Sequence, residues 1–65
     1  MHLLRQALDI IRREIQERTW DAFWRATVLE QSAADVGTEL GMSEKSVRQA
    51  KYRVLCRLRE LLQDA

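Results

Sequence analysis

Apolar residues recur along this chain at helical intervals, and no segment sustains the alternation of a strand. Leu4, Leu8, Ile11 and Ile15 form one stripe, widened by Leu3, Ala7 and Ile10, so the spacing predicts a first helix over about residues 3–17. Arg18 and Thr19 read as a short break, with Thr19 or Asp21 able to cap the next helix. A second helix over about residues 20–29 sets Trp20, Phe23, Trp24, Thr27 and Val28 on its inner side. Glu30 and Gln31 then lead to a short third helix over residues 33–40, and a fourth runs over about residues 44–62. On a wheel with Val47 at zero, Ala50, Val54, Leu55, Leu58, Leu61 and Leu62 fall within an arc of about 140°. Lys51 falls inside that arc, where its stem would snorkel along the edge of the core.

The third and fourth helices carry their own punctuation. Ser32 stands before Ala33 with Asp35 three residues on, and Ser43 stands before Glu44, so each serine can accept a bond from an otherwise orphaned amide. Gly41 follows Leu40, where a helix end requires a residue that tolerates positive φ. Val36, Leu40, Met42, Val47 and Ala50 are spaced to bury together between the two helices. Helix, glycine turn and helix make a helix-turn-helix, whose second helix enters the major groove of DNA. The expected fold is therefore all-α, with residues 1–65 forming one compact four-helix domain.

Composition narrows this picture. At 65 residues the chain holds one domain, near the size at which a single core is marginal, and the absence of proline suits helices with short connections. No apolar run approaches the ~20 residues of a membrane span, and no signal peptide is visible. Cys56 stands alone, so no internal disulfide forms and a reducing cytoplasm is the expected setting. A net charge of +1 says little, but its distribution says more: residues 1–44 carry −3 and residues 45–65 carry +4. Lys45, Arg48, Lys51, Arg53, Arg57 and Arg59 have no acid among them from 45 to 59. Alone, this is a solvated helix face; after a turn motif, it favours DNA contact.

The outer face of the fourth helix holds the candidate readers. Arg48 and Gln49 have the donor and acceptor chemistry of guanine and adenine edges, and Lys45 and Ser46 lie nearer the helix start, within reach of a base or a phosphate. Tyr52 and Arg53 are placed for backbone phosphates. Trp20, Phe23 and Trp24 could stack on bases as in single-strand binders, but their helical spacing reads as core, and an exposed edge would suit protein docking. No enzyme is expected: His2 stands alone, no Cys/His spacing fits a zinc site, and there is no glycine-rich phosphate loop. Cys56, about 180° from Val47, is expected to be solvent-accessible, as an incidental surface thiol or a redox sensor.

The segment Gly41-Met42-Ser43-x-x-Ser46-Val47-Arg48, with Arg53 and Leu58-Arg59 beyond it, resembles region 4 of bacterial sigma-70 family factors. Glu17-Arg18-Thr19-Trp20-Asp21-Ala22-Phe23-Trp24 with Ser32-Ala33-Ala34-Asp35-Val36 is similar to extracytoplasmic-function sigma factors of the planctomycete type. The likeness runs from about Leu8 to Leu62, departing at Lys51, where many members have an aliphatic residue, and at Gly37, where alanine is common. It implies recognition of the −35 promoter element through Ser46, Arg48, Gln49, Tyr52 and Arg53, with no cofactor. It also implies docking on the β flap of RNA polymerase, and anti-sigma factors that cover the domain. Region 2 of such a factor is not represented, so an excised C-terminal domain is expected. A dimeric helix-turn-helix regulator, or a protein-interaction domain with little DNA affinity, are the alternatives.

Overall fold

Two serine hydroxyls and one left-handed glycine fix the backbone at the centre of the chain. The computed structural model describes residues 2–63, without the His2 side chain, and resolves α1 (His2–Glu14), α2 (Glu17–Thr27), α3 (Ala33–Leu40) and α4 (Glu44–Gln63). The ends of the chain, Met1 and Asp64 included, lie outside the described residues. Ser32 opens α3 by accepting the Asp35 amide at 3.1 Å. Gly41 ends it at φ 68°, and the amides of Gly41 and Met42 both return to the Gly37 carbonyl, that of Met42 at 2.8 Å. Ser43 then opens α4 by accepting the Ser46 amide at 3.0 Å. Gly37 is buried so close beneath this turn that a Cβ would overlap the Met42 carbonyl oxygen.

The first break falls earlier than the sequence predicts. Ile15 and Gln16 separate α1 from α2, while Arg18 and Thr19 lie inside the first turns of α2. Neither Thr19 nor Asp21 is a cap; Gln16 holds that position in an extended conformation with no side-chain bond. Two local effects favour the earlier start. The Glu17 carboxylate sits in the first turn, where the helix dipole favours negative charge, and the Gln16 carbonyl accepts the Trp20 amide at 3.0 Å.

Two small cores lie in series along α4. Beside the turn, Ala22, Val36, Val47 and Ala50 are buried together, with Ala26, Ala33, Leu40 and Met42 packed around them. Further along, Ile11, Phe23 and Val54 are buried, flanked by Leu8, Ile15, Trp20, Leu58 and Leu61. α4 packs against each of the other three helices, so it is the spine of the molecule. Arg57 donates two bonds of 2.9 Å to the Glu14 carboxylate and joins α1 to α4, while Arg25 pairs with Asp21 and Glu39 and joins α2 to α3. The Arg57 guanidinium holds the Glu14 carboxyl below the ordinary carboxylate range.

The buried arc of α4 is narrower than the wheel suggests. Leu55 and Leu62 are exposed, and so is Lys51, because no helix covers that flank. Leu3, Leu4 and Ile10 of α1 are exposed for the same reason. Trp24, expected in the core, is 38% exposed and stacks on Trp20 with ring centroids 6.0 Å apart; Val28 is also exposed, past the end of α2. Cys56, expected at the surface, is half-buried. The result is an all-α, four-helix domain containing a helix-turn-helix, with no strand among the described residues. Its radius of gyration is 11.8 Å, near the about 11 Å of a compact chain this long.

Candidate nucleic-acid interface

The turn that ends at Ser43 decides which residues of α4 face outward first. Ser43 both accepts the Ser46 amide and donates its hydroxyl to Ser46 Oγ at 3.0 Å, which leaves the Ser46 hydroxyl proton available to a ligand. Val47 and Ala50 turn inward against α2 and α3, so the residues between them must turn outward. Lys45, Arg48, Gln49, Tyr52 and Arg53 are all exposed, and Ser46 is half-buried at the edge.

The structure sorts these six residues into two rows. Lys45, Arg48 and Tyr52 stand on the outer side of α4, with Tyr52 71% exposed. Ser46, Gln49 and Arg53, at i, i+3 and i+7, instead line a hollow of about 400 Å³ between α4 and α2, closed by Thr19, Met42 and Ala50. Ala50, on its wall, is buried together with Ala22 of α2. Thr19 is the residue that the sequence pattern missed. Its only sequence signal is a short side chain on the α2 line of Ala22 and Ala26, legible once α2 is known to begin at Glu17.

Charge follows the same division. Arg48 Nη2 lies 3.3 Å from the Glu44 carboxylate, an exposed pair one turn apart that is weak enough to release the guanidinium to a stronger partner. Arg53 has no carboxylate partner among the described residues, and no acid lines its hollow. The Tyr52 phenol is pushed above its ordinary pKa, chiefly by hydrogen bonding to the Cys56 side chain one turn on. Among the described residues no group of three His, Cys, Asp or Glu side chains is placed to hold a metal ion. Among the described residues no helix is long and apolar enough to cross a membrane.

No protein-family model, curated protein or solved structure matches this chain.

Proposed function

We propose that the chain is a duplex-DNA-binding domain that recognises a −35-type promoter element in the manner of sigma factor region 4. The observation that supports this reading best is the capped turn at Gly41–Ser43, which begins α4 so that Lys45, Arg48, Gln49, Tyr52 and Arg53 are exposed together. Backbone phosphates then supply most of the affinity through the bases of α4, and Arg48 reads a guanine edge bidentately. In this reading the domain acts as a monomer in the cytoplasm. It directs RNA polymerase core through the β flap and leaves the chemistry to the polymerase.

The exposed Leu3, Leu4 and Ile10 of α1, with Leu55 and Leu62 of α4, favour a protein partner as well. That partner is the polymerase or an anti-sigma factor.

Selection from a random duplex library, followed by affinity measurements at several salt concentrations, tests the proposal. Wild type should enrich one asymmetric motif, and binding should weaken steeply with salt. Arg48→Ala should relax preference at one base pair by ~1–3 kcal/mol, whereas Arg53→Ala should weaken all duplexes alike. Two half-sites about one helical turn apart would show a dimeric regulator instead. No enrichment and no salt-dependent binding would leave a protein-interaction domain.

A further inference from the structure

The hollow between α2 and α4 has a lining that selects for one kind of ligand. Thr19 and Ser46 bring hydroxyls, Gln49 an amide and Arg53 a guanidinium, and no carboxylate enters. Ser46 Oγ already accepts a bond from Ser43, so its proton points elsewhere. Arg53 is the one lining charge and has no counter-ion among the described residues, unlike Arg25, Arg48 and Arg57. Donors from two helices around an uncompensated cation form an anion site, and the shape is open enough for an anion carried on a chain.

We propose that this hollow seats one phosphodiester of a bound duplex, clamped between Thr19 of α2 and Ser46, Gln49 and Arg53 of α4. The inference rests on the DNA-binding reading and deepens it. Gln49, whose amide suits adenine, becomes a backbone contact, and base reading falls to Lys45 and Arg48 on the outer row. Thr19 adds what α4 cannot supply by itself: a fixed point on a second helix, which sets the angle at which α4 enters the groove. A phosphate held by one helix leaves that helix free to roll; one held by two does not.

The test uses the whole chain and a 20-base-pair duplex, with fluorescence anisotropy at four salt concentrations and thermal melts of every variant. Thr19→Val, which keeps shape and removes the hydroxyl, should lower affinity about tenfold without changing the salt slope, because it removes a donor and no charge. Thr19→Ser should restore binding. Arg53→Gln should lower affinity and reduce the salt slope by about 0.9, the value for one phosphate. The double variant should bind more tightly than the product of the two single losses predicts, since both side chains hold the same group. A single methylphosphonate, walked along each strand, should find one position where Thr19→Val has no further effect.

Wild-type affinity in Thr19→Val with an unchanged melt, or strictly multiplicative losses in the double variant, would overturn the clamp while leaving DNA binding intact. If wild type fails to bind the duplex, the functional reading falls first. Titration with inorganic phosphate then decides the site: amide shifts at Thr19, Ser46 and Gln49 that vanish in Arg53→Gln support it, and their absence ends it.

Discussion

Gly37 and Gly41 sit four residues apart and answer different needs. Gly41 has open space around it, and only its φ of 68° would strain a side chain there. Gly37 has ordinary helical geometry, but a Cβ there would overlap the Met42 carbonyl oxygen. Alanine, common at this position in the sigma-like pattern, therefore does not fit this chain. Gly37→Ala should destabilise the domain by about 1–3 kcal/mol through overpacking, despite a gain in helix propensity of about 0.5–1 kcal/mol. Gly41→Ala should cost about 1–2 kcal/mol through backbone conformation alone. Chemical denaturation of both variants checks the pair. The aromatic residues divide in the same way. Phe23 is only 3% exposed, whereas Trp24 lies on the rim against Trp20. Phe23→Ala should cost about 3–5 kcal/mol and leave little stability in a domain this small. Trp24→Ala should cost much less, and a melt within a few degrees of wild type would confirm it. Sequence spacing put both in the core because a helical wheel gives direction without saying how far the neighbouring helix extends.

Among the elements, the legible boundaries are those written in local chemistry. Ser32, Gly41 and Ser43 each carry the atoms or the conformational freedom that start or stop a helix, and α3 and α4 begin where those residues predict. The α1–α2 break has no such marker; Gln16 makes no side-chain cap, and the register there depends on Ile15 and Trp20 meeting the far core. The Glu14–Arg57 bridge, 43 residues apart, is equally invisible before folding. It has a pH consequence. Because Arg57 lowers the Glu14 pKa in the fold, the stabilisation is complete above the ordinary carboxylate value of 4.5 and disappears as pH falls through the lowered value. Glu14→Gln should therefore melt below wild type at pH 7, and the two curves should converge as the pH falls through the lowered value. A constant gap across that range would show that the contact is steric rather than ionic.

On the scale of the whole molecule, α4 has two duties: its inner face is the spine of the fold and its outer face carries the bases. The sequence disclosed that division of faces, because charge and apolarity alternate at helical period along one segment. It did not disclose the hollow, which exists only where α2 meets α4. The serial arrangement of the two cores has a consequence for motion. The core beside the turn contains no residue of α1, and the far core contains none of α3. α1 can thus detach, taking the Ile11 contacts and the Glu14 bridge with it, while Val36, Val47 and Ala50 remain shielded by α2 and α3. Native-state hydrogen exchange should resolve this as two cooperative units, with α1 amides opening at a lower free energy than those around Val47. A duplex held by α4 near the turn should slow exchange in α3 and the first half of α4 by mass action. Protection of α1 would rise only through the opening shared with global unfolding. Such a domain has a hinged end and a clamped end, and a ligand at one leaves the other free to exchange.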